Sequence, residues 1–260
     1  MTEHTPLLAL RGIWKHFGPV QALVGVDLDL YAGQVTALVG DNGAGKSVLI
    51  KCISGIYGHE AGEFIWDGRQ VAIRTPRDAA ALGIETIYQD LALCNNLDIV
   101  QNMFLGREYL QGIVLDEDRM ETAAQETLSS LAVTTVRSIR QPVASLSGGQ
   151  RQSVAIARAV LWNTTLVIMD EPTAALGVAQ TAMVLALARR LADRGLAVLF
   201  VSHNMVDVFE VADRIAVLHL GRVAAARPTA EFDRQLVVEL MTAGTSTRTI
   251  ERPAPTGEEA

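Results

Sequence analysis

Gln34-Val35-Thr36-Ala37-Leu38-Val39-Gly40-Asp41-Asn42-Gly43-Ala44-Gly45-Lys46-Ser47 passes from an apolar run into a glycine-rich loop that ends in Lys-Ser, and this stretch decides the fold. Gln34 to Val39 has the length and β-branched content of a buried strand, and Lys46 to Ser54 reads as a helix. Strand, GxxxxGK[ST] loop and helix in that order form a phosphate-binding loop. Its glycines let backbone N–H groups turn inward toward phosphate oxygens, and the helix N-terminus adds the positive end of a dipole. Gly40, Asp41, Asn42, Gly43, Ala44, Gly45, Lys46, Ser47 and Val48 are therefore the candidate nucleotide cradle, with Lys46 directed at the β and γ phosphates and Ser47 at a magnesium ion.

Downstream, Leu166-Val167-Ile168-Met169-Asp170-Glu171 delivers two carboxylates to the end of an apolar strand, the edge at which open α/β sheets bind ligands. Asp170 is placed to hold magnesium through water, and Glu171 to orient or deprotonate the water that attacks a phosphoryl group. His203 follows a second apolar strand, Ala197 to Val201, and is the candidate contact to the γ-phosphate. Gln89 follows the strand Ile84 to Tyr88; its amide oxygen can ligate magnesium or touch the attacking water. Each of these residues alone is ordinary. The phosphate loop upstream gives them a common ligand.

Leu146-Ser147-Gly148-Gly149-Gln150 places a serine and two glycines at the start of a predicted helix, a second anion cradle built from Ser147, Gly148, Gly149 and Gln150. It falls in a mainly helical stretch, residues 90–163, with candidate helices Ile99 to Leu105, Arg119 to Leu131 and Gly148 to Leu161. A cradle on that insertion is remote from its own phosphate loop. The economical arrangement is a head-to-tail dimer in which each copy closes the other's nucleotide site.

Outside the insertion, strands and helices alternate. Leu7 to Ile13 and Val26 to Leu30 read as half-buried strands, Glu63 to Trp66 and Arg69 to Ile73 as a hairpin about Asp67-Gly68, and Thr75-Pro76 as a helix start. After the insertion come strand Thr165 to Met169, helix Ala179 to Arg194, strand Ala197 to Ser202, helix Met205 to Val211, and strands Arg214 to Leu218 and Arg222 to Ala226. A last helix is expected near Thr229 to Met241, and a disordered tail rich in Thr, Gly, Pro and Glu over 243–260. This alternation predicts a mostly parallel sheet with crossover helices in one domain, 7–242.

Composition narrows the class. The chain of 260 residues is 49% hydrophobic, and its 22 basic and 29 acidic residues give a net charge of -7, which argues against a general nucleic-acid surface. Cys52 and Cys94 lack CxxC spacing, which fits a reducing cytoplasmic setting without disulfides or zinc. Met1 to Leu10 lacks the form of a signal peptide, and no apolar run approaches the roughly 18 residues of a membrane span.

Phosphate loop, Gln89, Leu-Ser-Gly-Gly-Gln, Asp170-Glu171-Pro172-Thr173 and His203 occur in the order of the ATP-binding cassette family, and the chain resembles the nucleotide-binding subunit of an ABC transporter. The resemblance implies an α/β, RecA-like P-loop NTPase core with a mostly parallel sheet, an N-terminal antiparallel β subdomain and an inserted helical subdomain. It also implies ATP and Mg²⁺ as cofactors and Phe17 as the ring that stacks on adenine. Tyr88 to Leu93, Asn102 to Glu108 and Ala174 to Val178 resemble the ATPases of bacterial ribose, xylose and fructose importers. That branch implies a homodimer on the cytoplasmic membrane face, with permease partners, an external sugar-binding protein and no nucleic acid. Amino-acid importers, exporters and soluble ABC ATPases are the alternatives. Among the soluble kinds, chromosome-maintenance relatives need a long coiled-coil insertion and translation factors usually carry two cassettes with a charged linker, features this sequence does not show.

Two positions depart from the family pattern. Val48 stands where a Thr hydroxyl commonly meets the α-phosphate, and Gly177 where many members carry the Asp of the D-loop. Leu91, Leu93, Leu97 and Ile99 either form a permease-docking surface or pack the helical subdomain.

Overall fold

Apolar runs too regular to have one wet face become the central strands of a six-stranded sheet in the computed structural model, which describes residues 5–133 and 135–246. The chain begins with β1 (Leu8–Phe17) and β2 (Val20–Leu30), then β3 (Val35–Val39), which runs through the phosphate loop into α1 (Lys46–Ile53). β4 (Ala61–Trp66), β5 (Arg69–Val71), α2 (Pro76–Ala81) and β6 (Ile84–Ile87) follow. Next come α3 (Ile99–Phe104), a two-residue hairpin of β7 (Leu110–Gln111) and β8 (Val114–Leu115), α4 (Glu117–Ser130) and α5 (Gly148–Val160). β9 (Leu166–Asp170), α6 (Val178–Asp193), β10 (Ala197–Val201), α7 (Met205–Val211), β11 (Arg214–His219), β12 (Arg222–Pro228) and α8 (Arg234–Ala243) complete it.

The large sheet has the order β12-β11-β3-β10-β9-β6, parallel throughout except for the edge strand β12. Alternate residues of its central strands enter opposite layers. Leu166 and Ile168 of β9 and Leu199 and Val201 of β10 pack with α1 and the N-terminal strands, while Val167, Met169, Val198 and Phe200 pack with α5 and α6. Both faces are covered, so the strands read as unbroken apolar runs. A second sheet, β2-β1-β4-β5, is antiparallel. The α/β architecture and antiparallel subdomain agree with expectation.

Several boundaries differ from the sequence reading, each for a local reason. β1 and β2 extend to Phe17 and from Val20 because Gly18 and Pro19 close a hairpin, and register shifts along the pair erase the period-two signal. The expected helix Thr229 to Met241 is a 3₁₀ turn, Thr229–Glu231, and then α8. Phe232 is extended, and Asp233 caps α8 by accepting from Leu236 N at 2.7 Å. α8 reaches Ala243 and ends at Gly244; residues 247–260 of the expected disordered tail lie outside the described residues. Ile99 is fully buried, and Leu91 and Leu93 are half-buried against the same core. Ile99 therefore packs the helical layer and is no docking residue.

Candidate functional site

Parallel neighbours β6, β9, β10 and β3 end on the same side of the sheet, and the residue types singled out above all follow their last residues. Gln89 lies two residues past β6, Asp170 closes β9 with Glu171 after it, His203 follows β10, and the phosphate loop follows β3. They line one cavity of about 450 Å³. Asn42, Gly43, Gly45, Lys46, Ser47 and Val48 contribute from the loop, Asp170, Glu171, Gln89 and His203 from the other strand ends, and Val20, Gln21, Ala22 and Ala174 complete it. Gly40, Asp41 and Ala44 do not line it: Gly40 and Ala44 are buried and Asp41 is exposed.

The loop's shape depends on close backbone approach. Gly45 has φ +107°, and a Cβ there would lie 2.7 Å from the Ala22 carbonyl; a Cβ on Gly40 would collide with the Leu218 carbonyl. Gly221, in the turn between β11 and β12, donates to Ala44 O at 2.8 Å, and its own carbonyl accepts from Val24 N at 2.8 Å. α1 then starts at Lys46 with no side-chain cap, so its first-turn N–H groups have no side-chain acceptor. That is the arrangement an anion fits. Lys46 is buried, and its Nζ donates to Gly40 O at 2.5 Å and Asp41 O at 3.1 Å.

Burial pushes the Asp170 carboxyl above the usual carboxylate range, neighbouring Glu171 adds to the rise, and Lys46 and Lys51 oppose it. A cation at this position would relieve that burial penalty. Glu171 has φ +50°, a left-handed conformation rare outside glycine, and its N–H is fixed by the Val201 carbonyl at 2.9 Å. The turn carries its side chain to His203, whose Nδ1 is 2.9 Å from both carboxylate oxygens. The His203 side chain is 67% exposed while that of Glu171 is 16% exposed, so the pair sits at the cavity mouth with the acid inside. The sequence points His203 at phosphate; the partner of its ring in the structure is Glu171.

Ser147, Gly148, Gly149 and Gln150 do not join this cavity. Ser147 caps α5, accepting from Gln150 N at 3.4 Å, while the Gln150 side-chain oxygen accepts from Ser147 N at 2.9 Å. Gln150 Nε2 also donates to Thr135 O at 2.6 Å. Phe17 ends β1 at 44% exposure, edge-on to Tyr57 with centroids 5.2 Å apart, and does not line the cavity. Its strand partner Val20 does.

Sequence reasoning missed Val20, Gln21 and Ala22, which the β1–β2 hairpin brings over the loop. It also missed a buried tether: Thr173 Oγ1 donates to Asp207 Oδ2 at 2.6 Å, joining the segment after Glu171 to α7. A carboxylate beside Val208 and Val211 on the buried face of a short helix was the available signal for Asp207.

A family model described as "ABC transporter" matches residues 23–174. The chain is 46% identical to the xylose/arabinose import ATP-binding protein of Sulfolobus acidocaldarius over 91% of its length and 94% of that protein. It is 50% identical to the fructose import ATP-binding protein of Rhizobium meliloti, covering 84% of this chain and 86% of that one. A ribose import ATP-binding protein of Escherichia coli O157:H7 is 40% identical over 91% of this chain, which spans 46% of that longer protein. Among solved structures, a nucleotide-free ATP-binding cassette of an ABC transporter superposes with TM-score 0.76 at 25% identity, covering 86% of this chain and 92% of that one. A second cassette, in its ADP conformation, gives TM-score 0.78 at 24% identity over 92% and 96%. Sequence likeness across nine tenths of the chain, together with strand ends that gather one nucleotide-type cavity, settles the relationship: this chain belongs to the ABC transporter family of ATP-binding cassettes.

Proposed function

We propose that the chain is the ATP-hydrolysing subunit of an importer for a small sugar, a single cassette domain over 7–242 with 90–163 as its helical insert. It works as a head-to-tail pair of copies on the cytoplasmic membrane face beneath permease subunits fed by an external sugar-binding protein. The observation that carries the two-copy reading is the separation of Ser147-Gly148-Gly149-Gln150 from the cavity that holds Lys46, Gln89, Asp170, Glu171 and His203. One chain has both halves of a nucleotide site, but apart. Sugar as cargo rests on the import proteins it most resembles among those named above. No helix of the described residues is long and apolar enough to cross a membrane, which fits a peripheral subunit.

The residues present fit Mg²⁺ and a triphosphate. Among the described residues no group of three or more His, Cys, Asp or Glu could hold a metal, so an all-protein cage is absent. Mg²⁺ instead favours few protein oxygens plus phosphates and water, and Ser47, Asp170 and Gln89 supply such oxygens. ATP with Mg²⁺ supplies the phosphoryl group and its charge neutralisation. Lys46 and the free N–H groups of α1 hold the phosphates. Glu171 accepts the proton of the attacking water, and His203 Nδ1 steadies its carboxylate until it turns toward the γ-phosphate. Phe17 packs on the adenine, and the partner copy's cradle excludes water on closing.

Glu171→Gln tests the base and the assembly together. The variant should bind ATP, form a stable dimer detectable by sedimentation, and turn over about 10²–10⁴-fold more slowly, the range for removing a general base. Parent-rate hydrolysis would sink the role of Glu171. For the cargo, ATPase activity of the complex reconstituted with its permease and binding protein should rise with a monosaccharide; stimulation by an amino acid and by no sugar refutes sugar import.

A further inference from the structure

Phe17 is the last residue of β1, and at 44% exposure burial alone does not fix its ring. The turn that follows α1, residues 54–60, supplies the missing hold. Tyr57 meets Phe17 in a T-shaped pair, with 71° between the planes and 5.2 Å between centroids, and Lys15 Nζ lies 5.1 Å from the centre of the Phe17 ring. Glu60 keeps Lys15 in place. Its Oε1 accepts from Lys15 Nζ at 2.7 Å, its Oε2 from His16 N at 3.1 Å, and its own N–H donates to Trp14 O at 2.9 Å. The turn thus clasps residues 14–17, the end of β1.

Tyr57 is itself fastened to the far end of α1. Its N–H and that of Ile56 both donate to Lys51 O, at 3.0 and 2.9 Å, and Lys51 Nζ lies 5.3 Å from the Tyr57 centroid. Gly55, at φ +72°, brings the turn so close to Thr75 that a Cβ would collide with the Thr75 carbonyl, which leaves the turn one shape. The Tyr57 ring is half-buried and packs on the core shared by α1 and the N-terminal strands. A leucine would fill that volume as well. It would offer Phe17 no ring to meet. The two ends of α1 therefore carry different parts of one site: Lys46 and the free N–H groups at its start, Tyr57 beyond its end, with eight residues, about 12 Å, between.

We propose that Tyr57 is a positioning residue for the nucleotide base: anchored to α1, it sets the Phe17 ring in advance and at a fixed reach from the phosphates. This rests on the reading of Phe17 as the ring that packs on adenine. A side chain that becomes ordered only when its ligand arrives weakens binding by about 2–10-fold. Tyr57 removes that cost before ATP arrives. Because the hold acts on the base alone, a triphosphate without a base does not feel it.

The test is equilibrium titration of the full chain with ATP and with inorganic tripolyphosphate, without Mg²⁺ so that no hydrolysis intervenes. Tyr57→Leu should weaken ATP about 3–10-fold and leave tripolyphosphate within about twofold. Tyr57→Phe, which keeps the ring, should restore ATP binding to within about twofold of the parent. Phe17→Ala should cost at least as much ATP affinity as Tyr57→Leu, and the double variant should bind no more weakly than Phe17→Ala, because Tyr57 acts only through that ring. Unchanged ATP affinity in Tyr57→Leu, equal losses for ATP and tripolyphosphate, or multiplying losses in the double variant would overturn the proposal. If Tyr57→Leu does not fold, Tyr57→Met is read by the same three criteria. A Phe17→Ala chain that binds ATP like the parent refutes the adenine reading of Phe17 itself, which separates that failure from a failure of Tyr57.

Discussion

Replacing Thr173 by Val removes one hydroxyl from a buried place and should be felt both in stability and in turnover. Thr173 is 9% and Asp207 4% exposed, and the 2.6 Å bond between them is a charge-assisted one. Val puts a methyl where Oγ1 stood, so the Asp207 carboxylate loses a donor and must also retreat to van der Waals distance. Hydrogen bonds to charged groups are worth about 1.5–3 kcal/mol. With unfolding entropy near 2.1 cal/mol/K per residue, a chain of 260 residues has a ΔS of about 0.5 kcal/mol/K, and the loss corresponds to a fall in Tm of about 3–6 °C. The tether also fixes the segment after Glu171 against α7, which begins just beyond His203, so kcat should fall along with Tm. Differential scanning calorimetry on Thr173→Val, Asp207→Asn and the double variant gives the coupling directly, and it should be about 1.5–3 kcal/mol. A Tm shift below about 1 °C with an unaltered rate, or strictly additive single effects, would refute the reasoning.

Two further outcomes follow from the site. Because the folded-state pKa of Asp170 is raised, the folded protein binds that proton more tightly than the unfolded chain; stability falls as pH rises from 3.8 through the folded pKa, and the cost persists above it. Asp170→Asn should therefore raise the Tm of the nucleotide-free protein at neutral pH and flatten that acid-limb dependence, while abolishing magnesium-dependent hydrolysis; a lower Tm at neutral pH refutes the electrostatic account. Val48 lines the cavity and packs half-buried on the core beneath the loop. Val48→Thr should tighten ATP about 2–10-fold in equilibrium titration if the added hydroxyl bonds phosphate, worth about 0.5–1.5 kcal/mol, and unchanged or weaker binding contradicts that.

The sequence made the sheet readable where chemistry and burial coincide. Val35 to Val39, Leu166 to Met169 and Ala197 to Val201 are buried on both faces and apolar but for Thr36, and a loop, an acid pair or a histidine follows close behind each. Such strands carry their own boundaries. The hairpin β1–β2 was legible only in part, because its bulges break alternation and its end carries the polar residues Lys15 and His16, both hydrogen-bonded to Glu60. Contacts between residues far apart in the chain leave no local pattern. Val208 and Val211 mark Asp207 as a carboxylate on a buried face, but nothing near Thr173 announces it as the partner. The site's ligating residues were therefore open to reading, while the bonds that hold them in register required coordinates.

The position of β3 sets a timetable. Its neighbours in the sheet are β10 and β11, the N–H of its first residue, Val35, donates to Asp213 Oδ2 at 2.7 Å, and its loop is braced by Gly221. The strand that leads to the phosphate loop thus leaves the ribosome long before anything it pairs with. At about 5–20 residues per second, the interval from Ala44 to Gly221, 177 residues (221 minus 44), lasts on the order of 10–35 s. Until β10 and β11 have emerged, β3, buried at every residue, has neither of its sheet neighbours. Competence to bind nucleotide therefore waits on strands synthesised long after the phosphate loop itself.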